Sequence, residues 1–324
     1  MTALYITIDT EYSSGFASRH NGAGRAENFA RSIVCDTPGG PIGIEYQMDV
    51  FDACGLKAVF FVDPMPALIW GVEAITDIVA PIVERKHDVQ LHLHSEWLEI
   101  AGPANPLKGR TGRNIKDFRF EEQCLLLDYA RDTLVAAGAP RPVAFRAGNY
   151  GANDDTLRAL CALGIGYDTS HCPGIAVSEC GIGLGTDCRS PVEYLGVIEV
   201  PIACIGNRGG GLRHAQITAL SAEEVMAGLR HARDCDHASF TLVSHSFELA
   251  SRDRLRANHL LKRRFERMCE GLAAMQGVAT ATYSDAPPSV DTRRGQAPPL
   301  PYNPWRTGKR MAEQAISNLL YGGR

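Results

Sequence analysis

The chain has 324 residues, 45% of them apolar and 22% charged, and a formal net charge of −4. That composition supplies a sizeable core and argues against wholesale disorder. The slightly acidic balance gives no electrostatic reason to expect nucleic acid or an acidic surface as a partner.

Residues 4–8 alternate as a strand does, with Leu4, Ile6 and Ile8 on one face and Tyr5, Thr7, Asp9 and Glu11 on the other. No basic leader or cleavage site precedes this strand, and no apolar run approaches the roughly 20 residues of a membrane span, so the expectation is a cytoplasmic protein without a transmembrane segment. The Gly/Ser/Arg-rich stretch 13–40 is long for a connection and predicts a loop over an active site. Residues 44–54 read as a helix stopped by Gly55, and 57–62 as a buried strand closed by Asp63-Pro64. Helical composition returns over 74–84, where Pro81 threatens a break. A strand follows at 89–94, then a long amphipathic helix over 120–137 ended by Gly138.

The alternation continues with strands at 143–146, 165–168 and 197–200, and a helix over 154–163. Ser221 caps a helix reaching about Arg233, with Glu223 and Glu224 in its first turn. A strand over 239–244, a helix over 254–275 and a last strand over 278–283 complete the series. Strand–helix repetition predicts a parallel sheet, and about seven units favour a barrel over an open sheet. Residues 1–285 form this barrel. From 286 to 324 the chain becomes proline-rich and then helical, an extension that packs on its own domain or on a second subunit as a homo-oligomer. The ten cysteines include no C-x-x-C pair, which argues against a zinc knuckle and for buried free thiols in a reducing compartment.

Polar residues at the carboxyl ends of strands are where barrels build active sites. Five segments qualify. Asp9 and Glu11, two residues apart in extended chain, project to one side and can share a cation or divide metal binding from proton transfer. His92 and His94 share a strand face, with Glu96 just beyond; imidazoles and a carboxylate suit zinc and neighbouring divalent metals. Arg146 precedes a glycine-containing turn, Gly148-Asn149-Tyr150-Gly151, and its planar fork suits a carboxylate. Asp168 can orient a histidine or cap the next segment. His245, after an apolar run, is a candidate general acid.

Taken in order, acid–x–acid, a histidine cluster, arginine with a glycine turn, aspartate and then histidine resemble the five motifs of the polysaccharide deacetylase family, the NodB-homology carbohydrate esterases, over residues 4–284. The flanking text from Gly55 to Val62, from Gly164 to Asp168 and at Glu199-Val200-Pro201 is similar as well. The resemblance implies a distorted (β/α)7 barrel with one divalent metal, zinc, at its rim. It implies a base role for Asp9, held and aimed by Arg146, and a ligand role for Glu11 and His92. It also implies that His245 protonates the leaving amine while Asp168 holds its imidazole, and that a backbone N–H near Asn149 receives the oxyanion. The expected activity is removal of an N-acetyl or other acyl group from an amino sugar or sugar-containing metabolite.

This chain departs from the family pattern at three places. Thr10 replaces the second of two adjacent aspartates. The second histidine of the usual H-[ST]-x-x-H falls on Glu96, so His94 and Glu96 both remain open as the further ligand. Gly148 replaces a proline. Two other readings stay open: hydrolysis of another small C–N amide, cyclic or formyl, and a non-catalytic carbohydrate-binding pseudoenzyme.

Overall fold

The computed structural model describes residues 2–290 and 298–322. Its centre is one sheet of strands β1 (Thr2–Thr10), β2 (Val59–Val62), β3 (Asp88–Leu93), β4 (Ala144–Ala147), β5 (Tyr167–Asp168), β6 (Val192–Tyr194), β7 (Val197–Glu199), β10 (Ser239–His245) and β11 (Val278–Thr280), with β8 (Cys204–Gly206) and β9 (Leu212–His214) forming a separate hairpin. The order is β10-β1-β2-β3-β4-β5-β7-β6. Every pairing on this path is parallel except β6–β7, and β11 lies parallel to the first residues of β1. Continuous apolar runs such as Val59-Phe60-Phe61-Val62, fully buried, are what a parallel strand covered on both faces requires.

The sheet curls until its edges nearly meet. Irregular chain after β7 completes the circuit: Ala203 N–H donates to the Thr241 carbonyl at 3.1 Å, Val243 N–H to Ala215 at 2.9 Å and Ile217 N–H to Val243 at 3.2 Å. The result is a distorted barrel with seven parallel strands on its main path, as the repetition of elements implied. Its interior is filled by Tyr5, Val59, Phe61, Ala144, Val200 and Tyr283, with the Tyr283 ring within 5.1–5.8 Å of Tyr5, Tyr167 and Phe61. Polar side chains above this plug are thereby confined to the carboxyl ends of the strands.

Helices α1 (Ser14–Arg19), α2 (Arg25–Phe29), α3 (Ile44–Ala53), α4 (Ala67–Trp70), α5 (Glu73–Glu84), α6 (Phe120–Ala136), α7 (Asp154–Ala162), α8 (Ala222–Asp234), α9 (His259–Ala273) and α10 (Pro304–Tyr321) surround the sheet. The stretch 13–40 is not simply a loop. Ser13 accepts the Phe16 N–H to start α1, and α2 runs into a π-turn at Ala30–Val34 held down by buried Phe16, Asn28 and Ile33. Pro81 does not break α5, because buried Ile75, Ile78, Val79 and Ile82 anchor one face and proline forfeits a single backbone bond. α9 begins at His259 rather than 254, where Asn258 caps it by accepting the Leu261 N–H.

Of the proline-rich stretch 286–304, residues 291–297 lie outside the described residues. α10 packs back on the barrel's own helices: Arg310 pairs with Glu224 at 3.1 Å, both buried, Arg264 with Glu313 at 2.7 Å, and Asn258 donates to Ser317 at 2.9 Å. Among the described residues no helix is long and apolar enough to cross a membrane. None of the ten cysteines forms a disulfide.

Candidate metal and proton-transfer site

Parallel register brings the strand ends together. Asp9 lies opposite His245 on one side and Phe61 on the other, and His92 lies opposite Arg146. Side chains alternate faces along each strand, so Asp9, Phe61, His92 and Arg146 all enter the barrel mouth.

Three ligand atoms converge at its rim. Glu11 Oε2 stands 2.5 Å from His94 Nε2 and 3.3 Å from His92 Nε2. Both imidazoles are held from behind. His92 Nδ1 donates to the Arg146 carbonyl at 2.7 Å, and His94 Nδ1 donates to Glu96 Oε2 at 3.0 Å. With the proton on Nδ1, each Nε2 presents its lone pair to Glu11. This is the arrangement in which metal-ligating histidines are oriented by a carbonyl or carboxylate. Glu11 Oε2 is buried, and the two Nε2 atoms are its polar neighbours. Three buried ligand atoms aimed at one point need positive charge among them, a proton or a metal ion, and a carboxylate with two backed imidazoles is a donor set that fits a divalent metal.

With no metal between them, burial pushes the Glu11 carboxyl up but the two imidazoles hold it well below the ordinary range, and burial pushes His94 down but Glu11 and Glu96 raise it well above the usual imidazole value, so a proton occupies the place a metal would take. His94 faces Glu11 and His92, and Glu96 stands behind His94, where its other oxygen accepts from Asn149 Nδ2 at 2.9 Å.

Gly148 makes this possible. A Cβ there would stand 2.7–2.8 Å from three atoms of the His94 ring. The glycine at 148 and the position of the His94 ring are one structural feature. Asn149 and Tyr150, which follow, both have left-handed backbones, φ 55° and 56°. Such conformations are costly for residues other than glycine and cluster at functional turns.

Beside the ligands stands a pair of groups suited to proton transfer. Arg146 Nη1 donates to Asp9 Oδ1 at 2.6 Å in a buried ion pair, and the guanidinium lies 4.4 Å over the Phe61 ring. The other Asp9 oxygen faces His245 Nε2 across 3.9 Å. His245 Nδ1 faces Glu248 Oε2 at 3.7 Å, and the His245 backbone N–H donates to the same oxygen at 3.1 Å. Glu248 is fixed in turn by Gln216 at 2.7 Å and Thr218 at 2.5 Å. Burial lowers the His245 pKa, but Glu248 and then Asp9 outweigh it and raise it to about 9.

Asp168 is elsewhere. Tyr167 joins the interior cluster, so Asp168 alternates to the opposite face, where it accepts from the Ser170 N–H and hydroxyl at 2.9 and 2.8 Å and lies beside Glu199. Burial and the Asp168 carboxylate raise the Glu199 carboxyl well above its ordinary value. The expected Asp168–His245 contact is replaced by Glu248–His245. Glu248 has a signal in the sequence only as H-x-x-E, which any loop can carry. A second missed residue is Asp63 at the end of β2, whose Oδ1 accepts the N–H groups of Met65 at 3.1 Å and His94 at 3.4 Å.

No protein-family model and no curated protein matches the sequence. Among solved structures, the chain is similar to a protein from Mycobacterium smegmatis classed with the polysaccharide deacetylases, at 16% identity over 87% of each chain and a TM-score of 0.56. The chain has the polysaccharide deacetylase fold. That fold is wider than one activity. The chain is also similar to Puue allantoinase, at 12% identity over 89% of this chain and 92% of that one, TM-score 0.54. A third likeness is to the 4-alpha-glucanotransferase of Thermococcus litoralis, at 11% identity over 88% of this chain and 40% of that one, TM-score 0.52. Function on the deacetylase fold is therefore argued from the site.

A further cluster of metal-ligating types, His231, Cys235 and His237, lies at the opposite end of β10, beyond its first residue. Asp9, Arg146 and His245 surround only the cluster at the mouth.

Proposed function

We propose that this protein is a metal-dependent hydrolase that removes an acyl group, in the first instance N-acetyl, from an amino sugar or sugar-containing metabolite. The observation that carries this reading is the juxtaposition of the Glu11–His92–His94 donor set with an Arg146-held Asp9 and a Glu248-held His245.

Glu11, His92 and His94 would hold the ion, zinc by the character of its ligands, with Glu96 keeping His94 in its ligating tautomer. When bound, a divalent metal at such a rim acidifies water and polarises a carbonyl. The protein's own residues do the remainder. Asp9 accepts the proton of the attacking water, aimed by Arg146, whose buried charge balances it. The left-handed turn at Asn149 and Tyr150 brings backbone close to the position of a developing oxyanion. His245, protonated at neutral pH, gives its proton to the departing amine, and Glu248 takes the orienting role first assigned to Asp168. An acid and a base on opposite sides of one gap favour hydrolysis over simple carbohydrate binding. Ten cysteines with no disulfide among them support a reducing, cytoplasmic setting and hence an internal metabolite as substrate.

The test is acetate release from a panel of N-acetylated sugars by metal-loaded protein, with cyclic and formyl amides alongside. Release from a sugar amide that disappears on chelation and returns with zinc is the expected result. Turnover of only a cyclic or formyl amide would replace the sugar reading, and metal binding without any hydrolysis would replace both.

A further inference from the structure

Next to the proton donor the surface changes sign. A cavity of about 880 Å³ opens from His245 and Glu248, walled on its far side by Gln314, Ser317 and Tyr321 of α10 and on its near side by Arg252 and Arg254. The same two arginines line a smaller cavity of about 320 Å³ with Arg19 and Arg31. Four arginines thus line this second cavity, two of them shared with the one that reaches His245, in a chain whose net charge is −4.

They are not consumed by carboxylates. Among the described residues no carboxylate lies within ion-pair distance of Arg19, Arg252 or Arg254, and Arg31 has only Glu27 at 3.6 Å. The one acid lining the smaller cavity, Asp253, turns into its own loop, accepting the Ser251 hydroxyl at 2.6 Å and the Leu255 N–H at 3.0 Å, while Glu248 in the larger one is engaged by His245, Gln216 and Thr218. Arg254 is aimed inward by a left-handed backbone, φ 59°, a conformation costly for arginine. Its guanidinium donates to Ser32 Oγ at 2.7 Å and lies 3.7 Å over the Phe247 ring, which stands 5.3 Å from the His245 ring. A cationic fork is therefore held one ring beyond the proton donor.

We infer that the substrate carries an oxyanion, a phosphate or a carboxylate, which Arg252 and Arg254, with Arg19 and Arg31 around them, hold while the acyl amide lies against Asp9 and His245. The inference rests on the hydrolase reading for the second half of that statement and not for the first. Guanidinium groups without carboxylate partners are suited to bidentate recognition of either anion. The excess charge also favours capture of an anionic metabolite over the neutral sugar.

Calorimetric titration of the metal-loaded full chain with inorganic pyrophosphate and with D-glucuronate tests this without requiring turnover. Arg252 is exposed and makes no side-chain bond among the described residues, so Arg252→Gln leaves the fold intact; Arg252→Gln/Arg254→Gln removes the pair. The expected result is binding of at least one anion by the wild type, weakened about tenfold or more in the double variant and measurably in Arg252→Gln. Loss of pyrophosphate binding identifies a phosphate-bearing substrate, and loss of glucuronate binding a carboxylate-bearing one. Wild-type protein that binds neither anion, or variants that bind both as well as wild type does, would overturn the inference. Anion binding abolished by Glu11→Ala but untouched by the arginine variants would place the anion on the metal and overturn it equally. Arginine-dependent binding in a protein that hydrolyses no acyl amide would sink the hydrolase reading and leave the anion site standing.

Discussion

Replacing Gly148 by alanine adds one methyl group and should disable the metal centre. The Gly148 backbone is not left-handed, so alanine is conformationally acceptable there. The added Cβ meets the His94 ring at 2.7 Å, whereas ordinary contact begins at 3.4 Å, and one of the two must give by about 0.7 Å. The ring is clamped by Glu96 behind, Glu11 in front and the His92 ring 4.9 Å away at a steep angle. A ligand constellation tolerates displacements of only about 0.5 Å. Metal affinity should therefore fall roughly 10- to 100-fold, the range typical when a ligand's supporting contacts are lost. The assay is competition of zinc between the protein and a chromophoric chelator, with Gly166→Ala as control, since a Cβ there meets nothing within 4 Å. A Gly148→Ala protein that holds zinc as tightly as wild type would refute the assignment of His94 as a ligand packed on Gly148.

Asp9→Asn should abolish turnover while leaving bound metal at wild-type stoichiometry by elemental analysis; retained activity would remove Asp9 from the base role. Removing the Arg146 side chain leaves Asp9 charged and buried, so Arg146→Ala should lose about 3–5 kcal/mol of stability in urea titration, and an unchanged midpoint would contradict the buried pair. Glu248→Gln should act on the pH profile. With a folded pKa of about 9, His245 is protonated and able to donate below that value, and activity falls as pH rises through it. Without the Glu248 charge this limb should move down toward 6.5, the ordinary imidazole value; a limb that stays near 9 would return the orienting role to another carboxylate. Glu96→Gln keeps a hydrogen-bond acceptor but loses the charge behind His94; it should weaken zinc about tenfold and recover activity in excess metal, whereas activity that never recovers would make Glu96 itself a ligand.

Much of this site was legible because parallel strands announce themselves. Apolar runs ending in Asp9, His92, Arg146 and His245 place polar groups at one rim without any knowledge of register. Register is what the sequence withholds. A shift of one residue moves a side chain to the other face. Asp168, paired opposite Phe145 rather than Arg146, falls on the outer face and cannot reach His245. The choice between His94 and Glu96 was equally closed to sequence. It turns on which side of an imidazole a carboxylate occupies, and on a contact between His94 and Gly148 across 54 positions of chain. The helices within 13–40 were hidden for another reason: glycines and arginines there suggest a loop, while the burial of Phe16, Asn28 and Ile33 that stabilises them is tertiary.

The central claim is that one cation sits between Glu11, His92 and His94, within reach of the Asp9–His245 gap. Anomalous diffraction at the zinc edge from zinc-loaded crystals measures this directly. The account predicts a peak about 2.0–2.2 Å from a Glu11 oxygen and from Nε2 of both histidines, with Glu96 outside the coordination sphere. An ion bound through Glu96 in place of His94, or zinc found solely at His231, Cys235 and His237, would contradict it.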